Sequence, residues 1–204
     1  PVTEYVNIYA GRFRELISRL NLATEEDGIT FNFIRTTDEH HIMAAQEFWR
    51  ACDANGYIYK KEYAVKYCVG CELEKTESEL DEEGRCPDHP DQEIEVIEEE
   101  NYFFRFSAFA EKLLALYEKR PEFVVPGTRQ NEMEAFVQRG LKDFSISRLK
   151  EKMPWGVPVP DDDEHVMYVW FDALVNYISA VGWPDDMEMF KKWWPVVQYC
   201  GKDN

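Results

Sequence analysis

No run of apolar residues in this sequence approaches the roughly 20 that a membrane-spanning helix needs. The first residues, Pro1-Val2-Thr3-Glu4, offer neither the basic start nor the apolar stretch of a signal peptide. The expectation is a soluble, cytoplasmic chain without a membrane partner. Glycine and proline are sparse, ten of each in 204 residues, which argues against a disordered or fibrous chain. Positive charge is also in short supply: 23 Lys and Arg stand against 40 Asp and Glu, a formal net charge of −17. Nucleic-acid contact relies on cations that neutralise phosphates. Any such contact must therefore rest on a local basic patch or on residues outside this chain. Glu98-Glu99-Glu100 and Asp161-Asp162-Asp163 read as a solvated acidic surface. Pro1 is not an initiator residue, so the sequence reads as an internal piece of a longer frame.

What is present suffices for a core, with 45% hydrophobic and 15% aromatic residues. Val6, Tyr9, Phe13, Leu16, Ile17 and Leu20 recur at helical spacing, up to a stop near Asn21. Thr36 and Glu39 have capping-box spacing. Ile42, Ala45, Trp49 and Cys52 follow on one helical face, and Asn55-Gly56 is the expected C-terminal stop. The pattern then shifts to short strands at 57–59, 63–67, 94–97 and 102–106. Residues 107–119 and 131–139 read as helices, 155–160 as extended chain, and 166–170 as a strand. Residues 173–181 read as a helix and 195–199 as a buried strand. The outline is helical α/β pieces at both ends of a strand-rich insert.

Five cysteines are present, Cys52, Cys68, Cys71, Cys86 and Cys200. An odd number, with three clustered beside a histidine, reads as a metal site and not as a disulfide framework. Cys68-Val69-Gly70-Cys71 is a C-x-x-C and Cys86-Pro87-Asp88-His89 a C-x-x-H, with 14 residues between them. Zinc takes four tetrahedral N and S ligands, and a closed Cys₃His set leaves no position for water, so such a site is structural. The segment 72–85 has little apolar content, and zinc is expected to hold the insert together. Cys52 reads as core, Cys200 as a small buried residue, and His165 as the start of a strand.

Tyr67-Cys68-Val69-Gly70-Cys71-Glu72 with Cys86-Pro87-Asp88-His89 resembles the zinc knuckle in the connective-peptide insertion of methionyl-tRNA synthetases. Asn101-Tyr102-Phe103-Phe104-Arg105 resembles a strand of the same insertion. Asp143-Phe144-Ser145-Ile146-Ser147-Arg148, followed by Trp155-Gly156-Val157-Pro158-Val159-Pro160, resembles that family's return into its catalytic domain. Tyr168-Val169-Trp170-Phe171-Asp172-Ala173-Leu174, with Tyr177, looks like its methionine-pocket segment. Gly201-Lys202-Asp203 is similar to a strand end that contacts ATP, and Phe33-Ile34-Arg35-Thr36-Thr37 also fits. The resemblance covers essentially the whole chain in order. Two family signatures are missing. His40-His41-Ile42-Met43 lacks the glycine of His-x-Gly-His, and Lys150-Glu151-Lys152-Met153 is not Lys-Met-Ser-Lys-Ser. They are expected before Pro1 and beyond Asn204, as is the anticodon-binding domain, so the chain alone is expected to be inactive.

The resemblance implies a Rossmann-like class I synthetase catalytic domain, present in part, with an inserted β-rich zinc-knuckle domain. Residues 1–56 would belong to its first half, 57–147 to the insertion and 148–204 to the start of its second half. It implies a methionine–tRNA ligase with methionine, ATP, Mg²⁺ and tRNA-Met as substrates and partners. Trp170, Ala173, Leu174 and Tyr177 match positions around the methionine side chain, Gly201 and Asp203 positions at ATP, and Arg148 an active-site arginine. Cys68, Cys71, Cys86 and His89 match the zinc ligands. On the residues alone, the aromatic stripe reads as ordinary core and Gly-Lys-Asp as a surface turn. A stand-alone zinc module that binds tRNA or protein is the alternative. A class I synthetase for isoleucine, valine or leucine is a third reading, disfavoured by the short insertion.

Overall fold

The computed structural model describes residues 2–22 and 31–201, with the backbone alone at 63, 65, 74, 78 and 97. Two compact units are present, Ile42–Val175 and, separately, Pro1–His41 with Asn176–Asn204. The periodic first segment forms α1 (Val2–Arg19), whose Tyr5, Ile8, Phe13 and Leu16 all lie exposed. The second helix, α2 (Glu39–Ala54), starts later than the capping box required. Thr36 falls in the preceding turn, and the Asp38 carboxylate accepts from the Arg35 N–H at 2.9 Å, which closes that turn. The end of α2 is the expected one. Gly56 takes φ +73° and donates to the Asp53 carbonyl at 2.8 Å, while the Tyr57 N–H reaches back to Cys52 at 3.0 Å. Those two bonds satisfy carbonyls that the helix end leaves open.

The four short strands expected at 57–67 and 94–106 are two long ones. β1 (Ile58–Cys68) runs unbroken and leads into β2 (Leu73–Lys75), and β3 (Glu95–Phe104) pairs with β1 from Ile58↔Phe104 to Tyr67↔Glu95. The charged residues Lys60-Lys61-Glu62, Glu98 and Glu100 lie on these strands and are exposed, as a ribbon with a solvated face allows, whereas Glu99 is buried. A short 3₁₀ turn, Phe106–Phe109, then leads to α3 (Ala110–Lys119), and α4 (Gly127–Gln138) starts four residues ahead of expectation. α3 and α4 share a small core of Tyr117, Val137 and Leu141. β4 (Phe144–Ser145) adds to β3, giving a four-stranded antiparallel sheet in the order β2-β1-β3-β4. β5 (Ser147–Leu149) and β6 (His165–Met167) form a separate antiparallel pair.

Three expectations fail in the last third. Trp170 lies not in a strand but in a helix, since β6 ends at Met167 and α5 (Val169–Ala173) begins one residue later. The helix expected at 173–181 is broken, with α6 (Asn176–Ser179) its only other turn before α7 (Met187–Trp193). Residues 195–199 form no strand, and Val197 and Tyr199 are 80% and 95% exposed. A strand needs a neighbour to pair with, and these residues have none among the described ones. No described helix is long and apolar enough to cross a membrane.

The main core of Ile42–Val175 joins Ala45, Trp49 and Cys52 of α2 to Ile58, Ile146, Val157, Val159, Met167 and Phe171. Trp49 stands edge-on to Tyr102 and Phe171, at 5.1 and 5.4 Å between ring centres, the favoured aromatic geometry. The seam between β3 and the 145–148 segment is polar and buried. Asn101 donates to Glu99 at 2.6 Å and accepts from the Ser147 hydroxyl at 3.3 Å, which in turn accepts from the Tyr102 N–H at 2.9 Å. Lys152 Nζ lies 3.0 Å from the other Glu99 oxygen, an ion pair that lacks hydrogen-bond alignment. These partners explain how Glu99, Asn101 and Ser147 are buried without large cost.

Candidate functional site

β1 ends on Cys68, the next turn ends on Cys71, and Glu72 follows in the left-handed region at φ +53°. Cys86 and His89 sit on a second tight turn closed by His89 N–H to the Cys86 carbonyl at 3.1 Å. The loop between the pairs is built on polar contacts, with Asp81 accepting from the Glu83 and Arg85 N–H groups and pairing with the Arg85 side chain at 3.2 Å. Gly70 lets the turns meet: a Cβ there would stand 2.5 Å from the His89 ring.

The structure brings the four candidate ligands together, their ligand atoms all within 4.8 Å of one another. Cys71 Sγ lies 3.5 Å from Cys86 Sγ and 3.2 Å from His89 Nδ1, and Cys68 Sγ lies 3.7 Å from the same nitrogen. Tetrahedral zinc, with bonds of about 2.3 Å to sulfur and 2.0–2.1 Å to nitrogen, spaces its ligand atoms about 3.6–3.8 Å apart. The residues therefore fit a zinc ion. Burial, and then Cys86 and Cys68, push the Cys71 thiol up to about 11. Thiolates at these separations need a cation among them.

Arg148, on β5, donates through Nη1 to the Ser145 hydroxyl and the Ser147 carbonyl, each at 2.8 Å. Its guanidinium lies 4.3 Å from the centre of the Tyr168 ring. Tyr168 is the N-cap residue of α5, which carries the pocket candidates. Trp170 and Leu174 are 48% and 55% exposed, and Ala173 is half-buried. Tyr177 is half-buried on α6, beyond the boundary of the unit that holds the others. Burial, and then the Cys200 thiol, raise its phenol. Cys200 is exposed and not buried as expected, since no strand forms before it. Gly201 is exposed, and Asp203 lies outside the described residues.

Two residues of this region had no assigned role in the sequence reading. Asp172 is 4% exposed, its Oδ1 has no hydrogen-bond partner among the described residues, and burial alone lifts its carboxyl to about 7. No sequence pattern marks an acid as buried without a partner. Tyr168 was part of a motif, but its contacts depend on chain folding far from it in sequence.

The family described as tRNA synthetases class I (M) matches residues 1–95 and 89–204. The chain belongs to it. A methionine–tRNA ligase of Thermotoga maritima is 46% identical over 204 residues, covering 98% of this chain and 31% of its own length. One of Mesorhizobium japonicum is 48% identical over 178 residues, covering 86% of this chain and 34% of the relative. Among solved structures, a Mycobacterium tuberculosis methionyl-tRNA synthetase in complex with methionyl-adenylate matches with a TM-score of 0.84 and 40% identity, over 96% of this chain and 37% of that one. This class I synthetase chain thus has the fold of its family, and it spans about a third of the length of the curated relatives it matches.

Proposed function

We propose that this chain is the segment of a methionine–tRNA ligase that carries a structural metal knuckle and part of the amino-acid pocket. The observation that carries the reading is 46% identity to one methionine–tRNA ligase across 98% of the chain. In the whole ligase, a carboxylate oxygen of methionine attacks the α-phosphate of Mg²⁺-bound ATP, pyrophosphate leaves, and methionyl-adenylate forms. The 3′ end of tRNA-Met then takes the methionyl group and AMP leaves. The work of the protein in such steps is positioning and electrostatic stabilisation.

Trp170, Ala173, Leu174 and Tyr177 form part of the methionine site, where ring edges suit a polarisable thioether. Arg148 contributes positive charge toward carboxylate or phosphate, and Gly201 and Asp203 meet the ATP ribose. Cys68, Cys71, Cys86 and His89 hold one Zn²⁺, which supplies folding free energy and no open coordination position. Residues 1–56 and 148–204 belong to the catalytic domain, 57–147 form its insertion, and the protein works in the cytoplasm. The chain by itself lacks both signature loops and does not catalyse.

The test is a chimaera in which this chain replaces the aligned third of the Thermotoga maritima ligase. The chimaera is expected to exchange pyrophosphate into ATP in the presence of methionine, and to lose that exchange on Trp170→Ala. A folded chimaera that exchanges only with isoleucine, valine or leucine, or with none of them, would refute the assignment.

A further inference from the structure

One side chain reaches the Cys68–Cys71 turn from the segment that leads into α5. The Tyr168 hydroxyl donates to the Glu72 carbonyl at 3.1 Å, immediately after Cys71. The ring of the same residue carries the Arg148 guanidinium on its face at 4.3 Å. Its backbone N–H donates to the Ile146 carbonyl at 2.8 Å, and it caps the helix that presents Trp170. Arg148 is fastened in turn to Ser145 and Ser147. A tyrosine has two side-chain torsions to order, so it transmits position at low entropic cost. Each contact alone is weak, but they converge on one rigid group.

We propose that Tyr168 is a positioning residue through which the filled metal site holds Arg148 and the start of α5 in place. Neither end is a bystander: if metal steadies α5, then Tyr168 must steady the metal by the same coupling free energy. The consequence for methionine and ATP rests on the reading of Trp170 and Arg148 given above, whereas the coupling between metal and helix does not. It distinguishes a knuckle that merely folds the insert from one whose occupancy is felt at the pocket.

The experiment is amide hydrogen exchange on the zinc-loaded chain, the chelator-stripped chain and the zinc-loaded Tyr168→Phe variant, with zinc release followed by a chromophoric chelator. Stripping the parent is expected to raise exchange at residues 169–173 while leaving the α3–α4 pair, 110–138, unchanged. Tyr168→Phe should show the raised exchange at 169–173 with zinc still bound, and should release zinc about five-fold faster, the loss of one ordinary hydrogen bond. Unchanged exchange at 169–173 on stripping the parent overturns the proposal whatever the variant does. So does a variant that matches the parent in both readouts, or an equal rise at 110–138, which is general destabilisation. Should the variant not fold, the parent alone decides. No methionine is used, so a failed chimaera and a failed coupling are separate results.

Discussion

Asp172 presents a carboxyl to a site where burial is the sole cause of its shift, from the ordinary 3.8 up to about 7. Below about pH 4 the acid is neutral in folded and unfolded chains, and burial carries no titration penalty. As pH rises from 4 to 7 the unfolded chain ionises first, so the folded state loses stability, and above 7 the loss is constant at up to about 4 kcal/mol. Asp172→Asn should therefore gain stability over the parent across pH 4 to 7 and hold a level margin above it, as read by denaturant melts. A margin independent of pH would rule this out. Gly70 is the matching steric case. Gly70→Ala puts a methyl 2.5 Å from the His89 ring, so zinc affinity should fall on the order of ten-fold or more, as displaced ligand geometry commonly does. Gly11→Ala, with nothing within 4 Å of its added carbon, is the control that should leave zinc binding unchanged. The C-x-x-C and C-x-x-H spacing made the ligand set legible from the sequence alone. Why position 70 must be glycine was not, because the colliding ring lies 19 residues away along the chain.

At the scale of elements, one carboxylate fastens β1, β3 and β6 together. Asp162 Oδ2 accepts from the Tyr102 hydroxyl at 2.8 Å, pairs with Lys60 at 3.0 Å and lies 3.0 Å from His165 Nδ1. The other ring nitrogen of His165 donates to the Glu100 carbonyl at 3.0 Å. Burial opposes ionisation of Asp162, but Lys60, Tyr102 and His165 more than offset it and hold its carboxyl below the usual range. Its contribution is present above about pH 4 and is lost as pH falls through the depressed folded value. Asp162→Ala should cost about 2–4 kcal/mol at pH 7, with the deficit shrinking in strong acid. Equal urea midpoints at pH 7 would refute it. In the sequence, Asp161-Asp162-Asp163 read as solvated charge, and two of the three are exposed. The middle one is not, because a loop return, invisible in composition, carries it onto the β1–β3 ribbon.

The whole molecule carries −17, and self-repulsion opposes compactness. Raising sodium chloride from about 10 to 200 mM shortens the screening length from roughly 30 Å to under 10 Å, so Tm should rise by several degrees. A flat or falling Tm would show that the acidic surface carries no such strain. Metal analysis should find one zinc per chain, and chelation should lower Tm. Helix periodicity, the Gly56 stop and the candidate metal-ligand set were determined by the sequence itself, because each depends on residues a few positions apart. The identity of the family was legible for the same reason, through short ordered motifs. Tertiary structure alone decided that four short strands are one ribbon, that Trp170 rides a helix, that 195–199 has no strand partner among the described residues, and that Tyr168 reaches the Cys68–Cys71 turn. These outcomes rest on pairing and burial between distant segments, and a local pattern carries no record of which segment will arrive beside it.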